Sequence, residues 1–496
     1  MNLAENLAHT AAAHPAQVAI KLDDLEIPFA ALADGAARVA TWLGSLGVEP
    51  GDRVAITMPN LPQFPVIYYG ILWAGATVVP LNPLFKGREF AYALTDSDSK
   101  VIFAWEGMAE EAEKGADEAG AVFISVGQGF LGQVAAHMPG DMVARDDQDT
   151  AVVLYTSGTT GSPKGAELTH LNMSRNAEVA SSLFNTQPSD MVFGGLPLFH
   201  SFGQTVGMNV CVATGATLTL LPRFEPAKAL EVLVRDHVTI MLGVPTMYVA
   251  LLGYPGREGV ALPDLRVCAS GGASLPVEVL RGFEAAFDCL VLEGYGLSET
   301  SPVASFNHPD RDRKPGSIGT PISGVQMRLV DQEWQDVADG EIGEIAIKGH
   351  NVMKGYLNKP EATAAVMHDG WFRTGDLARR DDEGYYYIVD RAKDMIIRGG
   401  FNVYPREVEE VLYEHPAVGQ AAVVGVPDDT YGEEIAAAVV LKNGATATPD
   451  ELREFAKERV AAYKYPRIVW ITEALPMGPT GKILKRQIDV PRSIDI

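Results

Sequence analysis

Residues 155–165 read YTSGTTGSPKG, after an apolar run at 151–155 and ahead of a helical pattern that begins near Thr169. The glycines of this segment expose backbone N–H groups that can surround phosphate oxygens. Its hydroxyl side chains add donors and a ligand for a metal ion, and Lys164 adds a mobile positive charge. The spacing differs from that of the GxxxxGK[ST] loop, because Gly165 follows the lysine. We therefore predict a phosphate-binding loop of a different kind, at the end of a strand.

Short apolar runs alternate with amphipathic segments on both sides of this loop. The predicted strands lie near 54–58, 76–81, 101–105, 151–155, 217–221, 239–242, 266–270 and 289–293, and helical patterns at 61–74 and 89–96 are examples of the segments between them. This alternation predicts an α/β fold with parallel sheets and helices on both faces. From about Gly316 the pattern changes, and strands at 325–330 and 344–348 predict a small β unit.

The last hundred or so residues have a pattern of their own, so we predict a large N-terminal domain at 1–390 and a small mobile α+β domain at 391–496. The predicted helices of the small domain lie at 405–414 and 449–460, and its strands at 418–426, 436–441 and 468–471. A chain of 496 residues is also too long for one ordinary domain.

The chain carries a formal net charge of −24, which disfavours nucleic acid and anionic lipid surfaces as partners. A polyanionic substrate would need local basic residues, and these occur in two groups, at 391–406 and 482–486. The three cysteines form no CxxC pair, which indicates a reducing compartment and argues against a disulfide scaffold or a zinc site.

Two uncharged stretches, 54–85 and 191–222, are interrupted by prolines or glycines, so we interpret them as buried strand–helix–strand units and expect no integral membrane span. Residues 1–15 lack the basic start and apolar run of a signal peptide. We expect a soluble cytoplasmic protein. The sequence leaves open a weak peripheral association with membranes and a homodimer.

Two further motifs follow apolar strands, at the place where open parallel sheets bind ligands. Residues 294–300 read GYGLSET, in which Tyr295 can stack on a flat base and Glu299 offers a hard oxygen ligand suited to Mg²⁺. Residues 270–276 read SGGASLP, too short for a GxGxxG fingerprint. Taken alone, each is as readily a structural turn as a binding site.

Three motifs nearer the C-terminus carry charged residues. Residues 371–376 read WFRTGD, and Asp376 can accept hydrogen bonds from two ribose hydroxyls. Residues 390–400 read DRAKDMIIRGG, and residues 476–482 read PMGPTGK, which ends in Lys482. Taken alone, these are a turn, a charged linker and a surface loop.

In this order, and over essentially the whole chain, the phosphate loop and the other motifs resemble those of the adenylate-forming superfamily. This superfamily comprises acyl-CoA synthetases, luciferases and the adenylation domains of peptide synthetases, and the chain is most similar to the fatty-acyl-CoA ligase branch. The resemblance implies ATP, Mg²⁺ and coenzyme A as cofactor and co-substrates, with an acyl-adenylate as intermediate.

The resemblance also implies roles for individual residues. Those implied to bind the nucleotide are Thr156, Ser157, Gly158, Thr159, Thr160, Gly161, Lys164, Gly272, Ala273, Ser274, Gly294, Tyr295, Gly296, Thr300, Asp376 and Arg391. The metal ligands would be Thr156 and Glu299. The catalytic group would be Lys164, His200, Glu299 and Lys482, with Gly399 and Gly400 binding CoA and Lys393 as the hinge.

The role of Lys482 has a physical basis, because attack of a carboxylate on ATP brings two anions together. A cation that bridges the carboxylate and the α-phosphate lowers that barrier. Retention of the charged motif residues also argues against a non-catalytic homologue. The set comprises Lys164, Glu299, Asp376, Arg391 and Lys482.

The acid is predicted from residues around the implied acyl pocket. Amino-acid-activating relatives place an Asp where this chain reads FHSF at 199–202, and malonate-type relatives place an Arg where it has Gly294, which we interpret as opening space. The pocket candidates Phe202, Val206, Val244 and Val303 are apolar, and each buried methylene contributes about 0.8 kcal/mol. We predict a medium- or long-chain fatty acid. An aryl acid of the cinnamate type, a malonate-type acid and an enzyme that loads a carrier protein remain the alternatives.

Overall fold

The computed structural model describes residues 1–156, 163–338, 340–392, 394–428 and 430–491. Within these ranges the strands form four sheets, with helices packed against them. The elements before the phosphate loop are α1 (Glu5–Ala13), β1 (Val18–Leu22), β2 (Leu25–Pro28), α2 (Phe29–Ser45), β3 (Arg53–Thr57), α3 (Gln63–Trp73), β4 (Thr77–Pro80), α4 (Gly87–Ser97), β5 (Ser99–Trp105), α5 (Ala109–Ala119), β6 (Val122–Val126), α6 (Phe130–Val134) and β7 (Thr150–Thr156).

The next elements extend to residue 306. They are β8 (Lys164–Thr169), α7 (His170–Phe184), β9 (Met191–Gly194), a π-helical segment (Phe202–Asn209), α8 (Val210–Thr214), β10 (Thr217–Leu220), α9 (Pro226–Arg235), β11 (Ile240–Gly243), α10 (Pro245–Gly253), β12 (Val267–Ser270), α11 (Val277–Phe287), β13 (Leu290–Gly296) and β14 (Val303–Phe306).

The remaining elements belong mostly to the smaller sheets. They are β15 (Thr320–Pro321), β16 (Val325–Val330), β17 (Gly343–Gly349), β18 (Gly355–Tyr356), α12 (Pro360–Ala364), β19 (Met367–His368), β20 (Trp371–Arg380), β21 (Tyr386–Arg391), β22 (Ile396–Arg398), β23 (Phe401–Val403), α13 (Pro405–Tyr413), β24 (Val418–Asp428), β25 (Gly432–Leu441), α14 (Pro449–Lys457) and β26 (Ile468–Ile471).

The largest sheet has nine strands in the order β15-β14-β13-β12-β11-β9-β10-β1-β2. The neighbours from β13 to β1 are all parallel, and the pairs at both edges are antiparallel. Strands β10, β11 and β12 are buried at every position, as expected for a parallel sheet covered on both faces. The carboxyl ends of β12 and β13 therefore present the 270–276 and 294–300 motifs at one edge of this sheet.

The second sheet has seven strands in the order β18-β8-β7-β4-β3-β5-β6. Strands β7, β4, β3, β5 and β6 run parallel, whereas β7 and β8 form an antiparallel hairpin. The phosphate loop thus connects two paired strands, and helix α7 begins only at His170. The sequence indicated the start of the helix but missed the intervening strand β8.

The helices that cover these sheets pack closely where small residues allow it. A Cβ atom on Gly70 of α3 would lie 2.5 Å from Val39 Cβ of α2, so glycine is needed for this close packing. Helix α7 begins with a capping box in which Thr169 Oγ1 accepts from Asn172 N at 3.1 Å. No helix in the described ranges has the length and apolar character needed to cross a bilayer.

The two smaller sheets follow in the C-terminal third of the chain. Strands β16, β17, β19, β20 and β21 form an antiparallel sheet, which confirms the predicted small β unit. Strands β22 to β26 form a last sheet with α13 and α14, and its core is separate from the others. The predicted α/β class, with a large N-terminal part and a smaller β-rich C-terminal part, is confirmed.

Candidate active site

Three residues predicted to bind the nucleoside meet at the end of β13. The hydroxyl of Tyr295 donates to Asp376 Oδ2 at 2.6 Å, and Arg391 Nε lies 3.1 Å from Asp376 Oδ1. Asp376 and Arg391 are opposite each other on the paired strands β20 and β21. Burial raises the pKa of Tyr295 well above its usual value, and the charge of Asp376 raises it further, so the phenol stays protonated. Since a carboxylate has about four acceptor positions, Asp376 can keep both contacts and still accept ribose hydroxyls.

The turn that carries Asp376 is held by residues that sequence reasoning missed. Gly375 N donates to Glu344 Oε1 at 2.8 Å, and Glu344 Oε2 lies 3.0 Å from Arg373 Nε. Glu344 belongs to β17, whose pairing with β20 brings it beside this turn. The position of Asp376 is therefore set by the small antiparallel sheet.

Glu299 lies in a short 3-10 turn directly after β13, and it is almost fully buried. Its Oε1 atom accepts from Thr156 Oγ1 at 3.3 Å and from the hydroxyl of Tyr356 at 3.0 Å. The two predicted metal ligands, Thr156 and Glu299, are thus neighbours across the two large sheets. Mg²⁺ is commonly bound by one or two carboxylates together with phosphate oxygens and water, so this donor pair fits a cation that binds with a nucleotide. The described residues contain no cluster of three or more His, Cys, Asp or Glu side chains suited to a metal.

Thr300 shapes the same turn, whereas the sequence predicted it as a nucleotide ligand. Its hydroxyl accepts from Leu297 N at 2.9 Å and donates to Pro302 O at 2.6 Å, and the residue is fully buried. Its hydroxyl group is therefore already used within the turn that presents Glu299.

Only the two ends of the phosphate loop belong to the described part of the chain. Ser157, Gly158, Thr159, Thr160 and Gly161, all predicted to bind phosphate, lie outside the described residues. At the ends of the loop, Thr156 of β7 is opposite Lys164 of β8. The ammonium group of Lys164 lies over the ring of Tyr356, 5.1 Å from its centroid. Burial, and then the Glu299 charge, raises the pKa of Tyr356.

Lys482 reaches the same site from the C-terminal part of the chain. A Cβ atom on Gly272 would lie 3.2 Å from Lys482 Cε, and Thr246 Oγ1 donates to the neighbouring Gly481 O at 2.8 Å. Burial, and then the charge of Arg391, lower the pKa of Lys482 to about 8, although the charges of Asp376 and Glu299 act in the opposite direction. Thr246, at the start of α10, was not singled out by the sequence.

A small pocket lies between Lys482 and apolar side chains. It is lined by Leu196, Pro197, His200, Phe202, Val244, Gly272, Thr480 and Lys482. Burial and then the charge of Lys482 lower the pKa of His200 to about 3, so this imidazole is neutral at physiological pH. Of the predicted acyl-pocket residues, Phe202 and Val244 line this pocket, whereas Val206 and Val303 are buried in the core and are not among the described residues that line it.

The glycines of the two sheet-edge motifs have different functions in the fold. Gly272 has a φ of +80°, a conformation that glycine adopts without strain, and Ala273 and Ser274, also predicted to bind the nucleotide, follow it in the chain. A Cβ atom on Gly296 would overlap the carbonyl group of Pro302, so this position requires glycine. The interpretation that Gly294 opens space was wrong: the ring of Phe306, its partner on β14, fills the position that a side chain would take.

Glu293 directly precedes this motif and was not predicted to matter. It is buried, and its Oε1 accepts from Leu275 N at 3.1 Å, which ties β13 to the 270–276 motif. Burial is the main reason that the pKa of this carboxyl is raised to about 7, and the charge of Arg406 acts in the opposite direction.

The predicted CoA-binding glycines form the turn between β22 and β23. Gly399 and Gly400 have φ angles of +57° and +84°, and Gly399 N donates to Tyr431 O at 2.8 Å. The described contacts of Gly399 are thus within the C-terminal part of the chain, whereas Lys482 lies against Gly272 of the N-terminal part. The predicted hinge, Lys393, lies outside the described residues.

Comparisons with known proteins identify the family to which the chain belongs. The AMP-binding enzyme family matches residues 7–357, and the AMP-binding enzyme C-terminal domain matches residues 407–482. A long-chain-fatty-acid–CoA ligase of Bacillus subtilis is 38% identical, covering 97% of this chain and 93% of the relative. A feruloyl-CoA synthase of an Amycolatopsis species is also 38% identical, covering 96% of both chains. The crystal structure of ATP-bound MatB from Rhodopseudomonas palustris is similar with a TM-score of 0.91 and 34% identity, over 98% of this chain and 98% of that chain.

Proposed function

Because the chain belongs to the AMP-binding enzyme family and is an AMP-forming acid–CoA ligase, we propose that it activates a fatty acid and transfers the acyl group to coenzyme A. The predicted membership of the adenylate-forming superfamily is confirmed. The identity of the acid and the roles of individual residues are the proposed part.

One observation carries the proposal: polar and charged residues from distant parts of the chain converge at the end of β13. Tyr295, Asp376 and Arg391 form one contacting group, and Thr156 and Glu299 form another. Lys482 lies beside the 270–276 motif at the end of the neighbouring strand β12, since a Cβ atom on Gly272 would be 3.2 Å from its Cε. This combination of aromatic ring, carboxylates and cations suits a nucleoside triphosphate together with an organic acid.

In the proposed first half-reaction, a carboxylate oxygen of the acid attacks the α-phosphorus of ATP and pyrophosphate leaves. Asp376 would bind the ribose and Tyr295 the adenine. Lys164 and Lys482 would offset negative charge on the phosphates, and Lys482 would also offset that on the attacking carboxylate. When bound at Thr156 and Glu299, Mg²⁺ would supply further charge neutralisation of the phosphate oxygens.

In the proposed second half-reaction, the thiol sulfur of CoA attacks the acyl carbonyl carbon, the bond to AMP breaks and the thiol proton leaves to solvent. We propose that the predicted C-terminal domain, 391–496, turns from Lys393 onward as a unit relative to 1–390, whereas Arg391, the last residue of β21, stays with Asp376. Lys482 would then leave the site and Gly399 and Gly400 would line the thiol path. The present contacts of Lys482 with Gly272 and of Gly481 with Thr246 support an arrangement in which Lys482 is engaged first.

The pocket residues favour a monocarboxylic, apolar acid. Among the described residues that line the pocket, Lys482 is the one cation, and it is needed for the reacting carboxylate. A second carboxylate, as in malonate, would be desolvated there without a partner, at a cost of several kcal/mol. A fatty chain instead gains about 0.8 kcal/mol for each buried methylene.

An aromatic acid is the second candidate. The feruloyl-CoA synthase relative is as similar in sequence as the fatty-acid ligase, which is the specific observation that favours it. The ring of Phe202, beside the 270–276 motif, could also stack on an aryl group.

The test is product analysis with ATP, Mg²⁺, CoA and a panel of acetate, malonate, octanoate, palmitate and coumarate. AMP, ADP and thioester are measured together, and hydroxylamine trapping without CoA reports the acyl-adenylate. The proposal expects AMP and thioester in equal amounts, highest with octanoate or palmitate. Highest turnover with coumarate would select the second candidate, and a preference for malonate or formation of ADP would refute both. AMP release that needs an added carrier protein would indicate carrier loading.

A further inference from the structure

Tyr356 contacts two residues of the candidate site that come from distant segments. Its hydroxyl donates to Glu299 Oε1 at 3.0 Å, and the ammonium of Lys164 lies over its ring at 5.1 Å. None of the sequence motifs pointed to this tyrosine. A single side chain thus touches both a proposed metal ligand and the lysine at the end of the phosphate loop.

The backbone around Tyr356 holds the ring in this place. Strand β18 pairs with β8, with Tyr356 opposite Ala166, and Leu357 N donates to Gly165 O at 2.8 Å. On the other side, Met353 N donates to Glu299 O at 2.9 Å. The segment 353–357 therefore ties the strand after the phosphate loop to the backbone of Glu299.

The side-chain contacts are directional as well. Glu299 Oε1 receives hydrogen bonds from both Tyr356 and Thr156, so two donors fix the plane of this buried carboxylate. A neutral phenol donor leaves the negative charge of the carboxylate in place for a cation. The face of the ring attracts the Lys164 ammonium and limits the positions that it samples.

We propose that Tyr356 is a positioning residue for adenylate formation: its hydroxyl orients the Glu299 carboxylate for Mg²⁺, and its ring restrains Lys164. This inference rests on the proposed function, because that function assigns Glu299 and Lys164 to the magnesium–nucleotide complex. Tyr356 itself touches neither substrate nor metal in this account. Partners of a metal ligand commonly change metal affinity or activity by about 10- to 100-fold when removed.

The test separates the hydroxyl from the ring with Tyr356→Phe and Tyr356→Leu. Calorimetry measures the Kd of ATP with Mg²⁺ and with a chelator, in the absence of any acid, so the readout is binding and not turnover. In the wild type, Mg²⁺ should lower the Kd of ATP. In Tyr356→Phe, the factor by which Mg²⁺ lowers this Kd should be about tenfold smaller. Tyr356→Leu should also weaken ATP binding in the chelator, because Lys164 is no longer restrained.

Tyr387→Phe is the matched control, because it removes another tyrosine–carboxylate hydrogen bond, 3.2 Å between Tyr387 Oη and Asp381 Oδ2. It should bind ATP as wild type does under both conditions. Pyrophosphate–ATP exchange then gives the half-activating Mg²⁺ concentration, which should rise about tenfold in Tyr356→Phe. This concentration is a property of the folded molecules, so it is measurable even where part of a preparation is unfolded.

The outcomes distinguish the inference from the function on which it rests. An unchanged Mg²⁺ dependence in Tyr356→Phe, or an equal loss of exchange at every Mg²⁺ concentration, would overturn the positioning role and leave a purely structural one. Glu299→Gln is measured in parallel. If that variant kept wild-type exchange and Mg²⁺ dependence, the assignment of Glu299 in the proposed function would fail instead.

Discussion

Two parts of the candidate site differ in how the described residues hold them. The nucleoside part, formed by Tyr295, Asp376 and Arg391, is held together by contacts to the charged carboxylate of Asp376. This carboxylate accepts a hydrogen bond from the Tyr295 hydroxyl at 2.6 Å and lies 3.1 Å from Arg391. The turn of Lys482 is joined to α10 by a neutral hydrogen bond, 2.8 Å from Thr246 Oγ1 to Gly481 O. Hydrogen bonds to charged groups contribute about 1.5–3 kcal/mol and neutral ones about 0.5–1.5 kcal/mol. The nucleoside part is thus the more firmly held of the two.

This difference matches the order of events in the proposed reaction. The nucleoside must stay bound through both half-reactions, because the acyl-adenylate retains adenine and ribose. Lys482 is needed only while two anions approach each other. A cation on a turn with weak contacts can leave the site once the adenylate has formed, whereas Asp376, as the proposed ribose ligand, would have to stay with the intermediate.

The largest expected effect comes from Lys482→Ala. Loss of a cation aimed at developing charge should slow adenylate formation by about 10²- to 10³-fold. Thioester formation from supplied acyl-adenylate should change little, because Lys482 has no proposed part in it. Pyrophosphate–ATP exchange measures the first step and thioester release the second. Equal losses in both steps would contradict the contrast between the two parts of the site.

Asp376→Asn should instead damage both half-reactions. The change removes the charge that faces Arg391 and weakens the acceptor of the Tyr295 hydroxyl. Hydrogen bonds to a charged group contribute about 1.5–3 kcal/mol. We therefore expect kcat/KM to fall about 10- to 100-fold, both with ATP and with supplied acyl-adenylate. A loss confined to the ATP step would show that Asp376 does not hold the ribose.

The nucleoside part was largely predictable from sequence because its residues lie in short contiguous motifs. Tyr295 and Glu299 follow an apolar strand, and the end of a parallel strand has a known place in a sheet. Asp376 and Arg391 were predicted from the resemblance, and their pairing follows from the register of β20 and β21. The large strands were recognisable because continuous burial requires apolar runs.

Contacts between distant segments could not be predicted in the same way. The error about Gly294 arose because only the register of β13 and β14 shows that Phe306 fills that position. Strand β8 was missed because its mixed sequence, KGAELT, lacks an apolar run. The hairpin β22–β23 has only three residues in each strand, too few for a periodicity. Thr246 and Tyr356 have no local signal, since their partners lie far away in the chain.

A pH series sharpens the contrast through the lowered pKa of Lys482, which is about 8. Below this pH the ammonium is charged and can act, and above it the charge is lost. For adenylate formation, kcat/KM should therefore fall about tenfold per pH unit above that value. Lys482→Arg should abolish this fall because guanidinium stays charged, although with lower activity throughout. The thioester step should show no such loss, and a wild-type profile that stays flat to pH 10 would contradict the assignment.

The smallest effect is expected from Thr246→Val, which removes the hydrogen bond to Gly481 and keeps the shape of the side chain. A loss of about 0.5–1.5 kcal/mol would lower adenylate formation about two- to tenfold, because Lys482 is engaged for less of the time. Thioester formation should be unchanged or faster, since leaving the site becomes easier. Thr214→Val is the matched control, because it removes another threonine hydrogen bond to a backbone carbonyl, from its hydroxyl to Val210 O at 2.8 Å within α8. If both steps slowed together in Thr246→Val, this contact would serve the pocket as a whole and not the turn of Lys482 alone.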